Sequence, residues 1–246
     1  AATDGDGTAG NSTLSYSLKG DGSSDDADLV SVDAATGEVR LKASADYEAQ
    51  SRYSFTVVAT DIGSPSRSSE QSVTVSVTDV DEFDVTVPVD ANAGANSVLE
   101  GASAGTLVGV TASASDADGT TNAVIYSLVT DAGGLTAVTD GPFQVDAATG
   151  VVTVGDGSLL DYEAATSATI YVKAVSADGS SAVQSVTIAV SDANDNTPVF
   201  TSGSTGSLAE KASTATVIYA AAATDGDGTA GNSTLSYSLK GDGSSD

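Results

Sequence analysis

Residues 192–200, DANDNTPVF, form a segment that is rich in side-chain oxygens. Its Asp and Asn side chains belong to Asp192, Asn194, Asp195 and Asn196. Pro198 excludes a helix, because proline fixes its own φ and favours an extended conformation for the preceding Thr197. Calcium takes about six to eight oxygen ligands from carboxylates, amides, main-chain carbonyls and water. We therefore interpret this segment as an extended linker that carries part of a hard-cation site.

The composition of the chain excludes most other metal chemistry. The sequence has no Cys and no His, which excludes the usual zinc, iron and copper sites and Ser-His or Cys-His nucleophilic catalysis. Disulfides are absent too, so bound metal is the expected substitute that holds a core of small side chains together. The 34 acidic residues against 8 Lys and Arg give a formal charge of -26, and this charge argues against nucleic acid or an anionic membrane as a partner. No apolar run reaches the roughly 20 residues of a membrane span, so direct membrane insertion is not expected.

The chain contains repeats at two levels. Residues 1–25 recur letter for letter as residues 222–246. Shorter motifs recur at about half that distance: VDAATG at 32–37 and 145–150, and DYEA at 46–49 and 161–164. Such self-similarity indicates an array of two related repeats, A and B, whose AB pair itself repeats.

The repeats divide the chain into three expected segments. Residues 1–83 are a repeat A without its N-terminal strand or strands, 84–196 a complete repeat B, and 197–246 the N-terminal part of the next repeat A. We expect the chain to be a window onto a longer array. A protein mass well above 24.0 kDa is the corresponding expectation.

Hydrophobic residues in both repeats alternate with polar ones, which is the pattern of half-buried strands. Examples are Tyr53, Phe55, Val57 and Ala59 in A, and Ile170, Val172 and Ala174 in B. Gly and Asp clusters separate the alternating segments, as turns do. The predicted fold is all-β, with seven-stranded Greek-key β-sandwiches in tandem.

Four acidic motifs recur in fixed order: a lone Glu early in a repeat, a DxD loop followed by Asn, a DYE, and a linker of the form DxxDx. Each motif alone also fits a surface turn. Together they resemble the extracellular cadherin domain, an immunoglobulin-like sandwich in which calcium ions lie between successive domains. The resemblance covers essentially the whole chain and implies calcium as the bound ion.

The resemblance implies about three calcium ions at the linker 192–196, between B and the next A. The ligands implied for a pair of ions are Glu100, Asp161, Glu163, Asp192, Asp195 and Asp227. Those implied for the third ion are Asn196, Asp225, Asp227 and the main-chain carbonyls of Asn194 and Asn232. Ala193 matches a linker position that offers only its carbonyl.

The linker 79–83, DVDEF, departs from the family pattern. Phe83 replaces an Asn that would hold the third ion, and Ser176 replaces an Asp whose counterpart in repeat A is Asp61. About two ions are therefore implied here, with a weak or absent third, which would make this the more flexible joint. The implied ligands are Asp46, Glu48, Asp79, Val80 (main chain), Asp81, Glu82, Asp116, Asp118 and the carbonyl of Asn122. Equivalent positions in the remaining part-sites are Asp4, Asp6, Asn11, Asp61 and Glu210.

The first functional hypothesis is a calcium-stiffened spacer in a repetitive cell-surface or secreted protein. The long exact repeat and the scarcity of Lys resemble a large bacterial adhesin, whose extender units present a ligand-binding head. The expected partners are the adjacent repeats, with a surface ligand bound through other domains. The alternative hypothesis is that the acidic residues only keep the protein soluble. Half of them fall at motif positions, which argues against this alternative.

Two further hypotheses remain open. One is a calcium-dependent binding module for homophilic adhesion or carbohydrate, although the sequence has no Trp for the strand exchange that the cadherin family uses. The other is a glycosidase in which Asp46/Glu48 or Asp161/Glu163 would act as acid and base. Aromatic subsites for a sugar are missing, so we expect no enzymatic activity. Asn11 and Asn232 also lie in glycosylation sequons, but the DxD loop accounts for both.

Overall fold

The computed structural model describes residues 2–5, 13–20 and 25–240, and it divides into two compact units. Unit 1 comprises Ala1–Asp84 with Ala117–Asn122, and unit 2 comprises Val85–Asp116 with Ala123–Asp246. Asp6 and Asn11 lie outside the described residues. No helix in the described part of the chain has the length and apolar character that a membrane span requires. The segment boundaries expected from the repeats stay a prediction.

The described residues of unit 1 form five strands and one short 3-10 helix. The strands are β1 (Leu14–Leu18), β2 (Val30–Val32), β3 (Val39–Leu41), β4 (Arg52–Asp61) and β5 (Ser68–Ser76), and the helix is Ala27–Leu29. β1, β4 and β5 form an antiparallel sheet with β4 in the centre, and β2 pairs with β3. Alternation of apolar and polar residues along β4 buries Tyr53 and Phe55 on one face, as the period of two predicts.

As far as residue 240, where the described part ends, unit 2 forms ten strands and one short 3-10 helix. They are β6 (Val89–Asp90), β7 (Ser97–Leu99), β8 (Leu107–Ser113), β9 (Val124–Val129), β10 (Phe143–Val145), β11 (Val151–Val154), the helix Gly157–Leu159, β12 (Ser167–Ser176), β13 (Ser181–Ser191), β14 (Val199–Phe200) and β15 (Ala223–Thr224). Two four-stranded sheets have the orders β10-β11-β8-β6 and β7-β13-β12-β9. The β13–β7 pairing is parallel, and every other pairing in these sheets is antiparallel.

The core of unit 2 lies between these two sheets and is built from small apolar side chains. Val108, Val152, Ala174 and Ile188 are all 0% exposed. Gly109 allows β8 to pass close to another segment, because a Cβ there would lie 2.2 Å from the carbonyl oxygen of Ala95 and its φ is +81°; only glycine tolerates both conditions. The all-β sandwich prediction is confirmed.

One sequence occurs in two environments and adopts two conformations. LSYSL forms β1 at Leu14–Leu18, where it pairs with β4 and Tyr16 is half-buried. The same five residues at 235–239 form no strand, and Leu239 is fully exposed at 100%. Among the described residues, this second copy has no equivalent of β4 to pair with. Strand formation here therefore depends on a partner strand, since β-propensity is set largely by packing context.

Candidate metal centres

Strand topology brings the acidic motifs of unit 2 to one end of a sheet. β7 ends at Leu99 beside Ser191 of β13, so Glu100 and Asp192 follow neighbouring strand ends. β12 runs antiparallel to β13, with Ser167 opposite Ala189, which places the DYE motif just before β12 at the same end. Two clusters of three acidic residues result, which we name carboxylate groups. In each cluster, one carboxylate oxygen from every residue lies within 4.8 Å of the others. The clusters are Glu100–Glu163–Asp195 and Glu163–Asp192–Asp227.

Glu100 holds the linker and the DYE motif together. Its side chain is buried, with 3% of the residue exposed. One carboxylate oxygen, Oε1, accepts a hydrogen bond from the main-chain N–H of Ala193 at 2.6 Å, and Oε2 accepts one from the N–H of Tyr162. A carboxylate oxygen has lone pairs for more than one partner, so Glu100 can position both segments and still face a cation.

Asp192 uses only one of its two carboxylate oxygens for hydrogen bonds. Oδ2 accepts from the N–H of Thr229 at 3.0 Å, from the Thr229 hydroxyl, and from the side-chain amide of Asn232 at 2.9 Å. The Thr229 hydroxyl is the main cause that lowers the pKa of Asp192. Oδ1 is buried and has no hydrogen-bond partner among the described residues. A buried acceptor without a partner is costly, so a ligand for this oxygen is expected.

The two carboxylate oxygens of Asp227 also differ in their hydrogen bonds, as those of Asp192 do. It is buried, and its Oδ1 accepts from the main-chain N–H and the side-chain amide of Asn196, at 3.0 and 3.1 Å. Oδ2 is buried, and no described residue donates a hydrogen bond to it. Asp225 accepts a hydrogen bond from the N–H of Asp227 at 3.1 Å and so shapes the loop. Asp192 and Asp227, each with one such oxygen, belong to one carboxylate group, as a divalent cation would require.

Close packing of negative charges raises the pKa of two residues in these groups. Loss of solvent raises the pKa of Glu163, and the negative charges of Glu100 and Asp192 raise it further. The pKa of Asp195 is raised for the same reasons, first by loss of solvent and then by the charges of Glu100 and Asp227. A bound divalent cation would remove this repulsion, so the donor set fits calcium.

Unit 1 contains an equivalent carboxylate group, Glu48–Asp79–Asp118. The N–H of Gly119 donates to Oε1 of Glu48 at 2.9 Å, and in unit 2 the N–H of Gly228 donates to Oε1 of Glu163 at 2.8 Å. Oδ2 of Asp79 accepts from the N–H of Thr120 at 2.8 Å and from its hydroxyl, and that hydroxyl lowers the pKa of Asp79. Oδ1 of Asp79 is buried and has no hydrogen-bond partner within the described ranges. The two groups are therefore built in the same way.

The linkers 79–83 and 192–196 differ in one residue that donates hydrogen bonds to the buried aspartate of the DxD loop. Oδ1 of Asp118 accepts from the main-chain N–H groups of Glu82 and Phe83 at 3.2 and 3.3 Å. Phe83 has no side-chain amide, whereas Asn196 contributes its amide to Asp227. Loss of solvent raises the pKa of Glu82, and the charges of Glu48, Asp118, Asp79 and Asp46 raise it further. This linker thus offers one polar side chain fewer to an ion.

The structure identifies two supporting positions that the sequence reasoning missed. A Cβ at Gly119 would lie 2.5 Å from the ring of Tyr47, and one at Gly228 would lie 2.6 Å from the ring of Tyr162. The adjacent threonines, Thr120 and Thr229, donate to the linker aspartates. The available signal was the motif DxDGT, which occurs at 116–120 and again at 225–229.

The remaining predicted ligands are placed as follows. Asp46 and Asp161 accept main-chain hydrogen bonds from Ala49 and Ala164, both at 3.0 Å, and neither belongs to the carboxylate groups found among the described residues. Val80, Asp81, Asn194 and Glu210 are exposed, and Asp4, Asp116 and Asn232 are half-buried. The side-chain amide of Asn122 donates to the carbonyl of Asp118 at 2.6 Å. Their roles as ligands stay predictions.

Asp61 and Ser176 occupy matching positions, as the sequence alignment predicts. Asp61 is the last residue of β4 and lies opposite Leu14, while Ser176 ends β12 opposite Val124. Oδ1 of Asp61 accepts from the N–H groups of Gly63 and Arg67 at 3.0 Å each. The position is therefore buried in both units but carries a carboxylate only in unit 1.

A β-sandwich with acidic DYE, DxD and linker motifs gathered at one end of a sheet defines a class of calcium-linked repeat domains. The chain belongs to the cadherin domain family, whose model matches residues 1–78 and 95–191. This confirms the resemblance found in the motifs. Calcium binding at junctions between domains is a property of this family.

Known relatives and solved structures agree with this membership. The chain is 34% identical to protocadherin Fat 4 of Mus musculus over 237 residues, which is 94% of this chain and 4% of that protein. It is 34% identical to protocadherin Fat 1 of Homo sapiens over 175 residues, 70% of this chain and again 4% of the relative. The chain thus spans a small fraction of the curated relatives it matches. Domains EC22-24 of mouse cadherin-23 superpose with a TM-score of 0.65 and 29% identity, covering 99% of this chain and 74% of the other.

Proposed function

We propose that the chain is an extracellular spacer whose linkers are stiffened by calcium. The observation that carries this proposal is the set of buried carboxylate oxygens on Asp79, Asp192 and Asp227 that have no hydrogen-bond partner in the described part of the chain. Each belongs to a group of three acidic residues. Repulsion within such a group weakens the linker until a cation is bound, and the bound cation then joins segments that are distant in sequence.

The proposed ligands follow the two linkers. At 192–196, about three ions would be held by the side chains of Glu100, Asp161, Glu163, Asp192, Asp195, Asn196, Asp225 and Asp227 with the carbonyls of Ala193, Asn194 and Asn232. At 79–83, about two ions would be held by Asp46, Glu48, Asp79, Asp81, Glu82, Asp116 and Asp118 with the carbonyls of Val80 and Asn122. The smaller number of ions reflects Phe83 and Ser176. Their side chains lack the amide oxygen of Asn196 and the carboxylate of Asp61, which are their counterparts.

Calcium would make the stiffness of the array depend on the compartment. Extracellular calcium modules bind with dissociation constants of about 0.1 to 1 mM, so they fill outside a cell and empty inside it. Binding that favours the folded linker adds about 2.7 kcal/mol of stability when free calcium exceeds the dissociation constant a hundredfold. A long array would therefore be flexible during export and rigid at the cell surface. The role as extender of a bacterial adhesin is part of this proposal and rests on the exact 25-residue repeat and the acidic composition.

Small-angle scattering with calcium and then with chelator tests the spacer mechanism. We expect the distribution of interatomic distances to broaden on chelation in wild type. Asp192→Asn should show part of this broadening in calcium, since the amide removes one anionic ligand, while Asp140→Asn should behave as wild type. Asp140 is an exposed acid outside the carboxylate groups of the described residues. A distance distribution that does not change on chelation would refute the mechanism.

A calcium-dependent adhesion module is the second candidate, favoured by the match to protocadherins. Beads coated with the chain would then aggregate in calcium and disperse in chelator, whereas a pure spacer leaves them dispersed in both. We assign no catalytic role to the paired carboxylates. Asp46 and Asp161 each cap a main-chain N–H, and Glu48 and Glu163 bind the glycines of the DxDGT loops.

A further inference from the structure

A tyrosine of β9 reaches from the core of unit 2 to the main chain ahead of a DxD loop. Tyr126 is buried, with 8% of the residue exposed, and its ring packs in the apolar core. Its hydroxyl accepts a hydrogen bond from the N–H of Ala114 at 2.8 Å and donates to the Ala114 carbonyl oxygen at 3.4 Å. Ala114 stands two residues before Asp116, the first aspartate of the loop. The hydroxyl therefore fixes the main chain close to a predicted calcium ligand.

The same contact occurs at the second DxD loop of unit 2. The hydroxyl of Tyr237 accepts a hydrogen bond from the N–H of Ala223 at 3.1 Å. Ala223 stands two residues before Asp225, as Ala114 does before Asp116. Tyr237 makes this bond although residues 235–239 form no strand. The contact accompanies the acidic loop, then, whether or not the tyrosine lies in a strand.

The two loops differ in length, yet the contact is kept. Five residues, TNAVI, lie between DADGT and Tyr126, whereas seven, AGNSTLS, lie between DGDGT and Tyr237. If chain spacing alone set the contact, the two extra residues would move the hydroxyl to a different partner. The hydroxyl meets the residue two positions before the first aspartate in both loops, so its place is defined relative to the acidic residues.

Main-chain pairing holds the next residue of each loop. The N–H of Ser115 donates to the Thr86 hydroxyl at 2.9 Å, and the N–H of Thr86 donates to the Ser115 carbonyl at 2.8 Å. At the second loop, Thr224 pairs with Val199 of β14. Each DxD loop thus starts from a residue paired with the strand segment that follows a linker, and the tyrosine hydroxyl fixes the residue before it.

Order at the start of the loop matters because the loop carries negative charges into a carboxylate group. Asp227, two residues after Asp225, belongs to the group Glu163–Asp192–Asp227. Like charges at such short distances repel one another, which favours a disordered loop until a cation is present. A loop that is ordered beforehand loses less conformational entropy when the cation binds, and it therefore binds the cation more tightly.

We propose that Tyr126 and Tyr237 are positioning residues for calcium, each of which orders the DxD loop that follows its main-chain partner. This role rests on the proposed calcium function of the two linkers, and it adds uncharged residues outside the acidic motifs to the machinery of binding. In immunoglobulin-like sandwiches, a tyrosine hydroxyl that binds the main chain is known as a stabilising device. A decisive experiment therefore measures calcium binding separately from folding.

Calorimetric titration of the 246-residue chain with calcium tests the role in two backgrounds. Asp192→Asn weakens the linker 192–196 and leaves the linker 79–83 to be titrated, and Asp79→Asn does the reverse. Each background reports on one DxD loop, because the loop at 116–118 serves the linker 79–83 and the loop at 225–227 serves the other.

Removal of the hydroxyl should weaken calcium binding only at the loop that the tyrosine holds. Tyr126→Phe should raise the calcium dissociation constant about threefold to tenfold in the Asp192→Asn background, the range that one neutral hydrogen bond supports. Tyr237→Phe should do the same in the Asp79→Asn background. Each substitution in the opposite background should leave the dissociation constant unchanged. Unchanged affinity in the matching background would overturn the proposal.

Two control variants separate positioning from folding. Tyr171→Phe removes a hydroxyl from β12, and Val172→Ala, at a residue of the same strand that is 1% exposed, destabilises unit 2 away from the loops. Denaturant unfolding in chelator measures the stability of every variant, and both controls should bind calcium as their background does. Equal weakening of binding by Val172→Ala would trace the effect to lost stability and would also overturn the proposal. A wild-type chain that binds no calcium would instead overturn the proposed function on which this role rests.

Discussion

Thr229 donates both its main-chain N–H and its hydroxyl to the same oxygen of Asp192, which leaves the other carboxylate oxygen of Asp192 buried and unpartnered. Thr120 has the same relationship to Asp79 in unit 1. The threonine thus fixes the orientation of the carboxylate and leaves its other oxygen available to a ligand. Partners of this kind commonly determine how well a metal ligand binds.

Replacement of Thr229 by Val removes the hydroxyl and keeps the shape of the side chain. We expect the calcium affinity of the linker 192–196 to fall about tenfold or more, because loss of a supporting hydrogen bond commonly weakens a metal site by that amount. Calorimetric titration with calcium measures the effect. Thr139→Val, at an exposed threonine outside the acidic groups of the described residues, is the control. An unchanged affinity in Thr229→Val would show that the hydroxyl does not orient Asp192 for binding.

Gly228→Ala tests the close approach between the DxDGT loop and Tyr162. The added methyl would lie 2.6 Å from the ring, so the loop or the ring must move. We expect a loss of about 1 to 3 kcal/mol in the stability of unit 2, as for other overpacked sites, and weaker calcium binding, since the N–H of Gly228 holds Glu163. Denaturant unfolding and calcium titration measure the two effects. Gly231→Ala in the same loop has open space around its Cβ and is the control, and equal behaviour of the two variants would contradict the steric account.

The sequence predicts long strands better than short ones, for physical reasons. β4 and β12 are ten residues long and contain the alternating residues from which strands are predicted, Tyr53 to Ala59 and Ile170 to Ala174. β6, β14 and β15 each have two residues, so they show no period. The two copies of LSYSL mark the limit of local reasoning, because identical residues form a strand only where a partner strand is present.

The acidic motifs likewise predict which residues lie close together, but not which hydrogen bonds hold them in place. Spacing and type suffice to bring Glu100, Glu163 and Asp192 into one hypothesis, since each motif has a fixed place in the repeat. The buried bridge from Glu100 to the N–H groups of Ala193 and Tyr162 depends on main-chain positions that no residue type specifies. The hydrogen bonds of Thr120 and Thr229 were missed because threonine is common in turns and strands alike.

A pair of substitutions compares a fully buried apolar residue of unit 2 with a partly exposed one of unit 1. Ile188→Ala should cost about 2 to 5 kcal/mol of unfolding free energy, because it leaves a cavity in a site that is fully buried. Val75→Ala, in β5 opposite Tyr53, should cost much less, since 46% of Val75 is exposed. Denaturant unfolding of both variants at low protein concentration measures the difference. Equal losses would mean that Val75 is covered in solution.

The turn VDAATG provides a pH-dependent contribution to stability that is separate from the acidic groups. Oδ1 of Asp146 accepts from the N–H of Ala148 at 3.1 Å, and from the N–H and hydroxyl of Thr149 at 2.8 Å each. The Thr149 hydroxyl is the largest of the causes that lower the pKa of Asp146. Asp33 in the first copy of the turn has a lowered pKa for similar reasons, with the N–H of Thr36 as the largest cause.

A lowered pKa in the folded state means that the ionised form is preferred by the fold. The stabilisation is therefore fully present above the unfolded pKa of about 3.9 and is lost as pH falls through the lower, folded value. Asp146→Ala should destabilise unit 2 at pH 7, and its difference from wild type should shrink as the pH drops below about 4. Urea unfolding of both proteins from pH 7 to pH 3 measures this, with Asp140→Ala as the exposed control. A penalty that stays constant over the whole range would show that Asp146 acts through packing of the turn rather than through its charge.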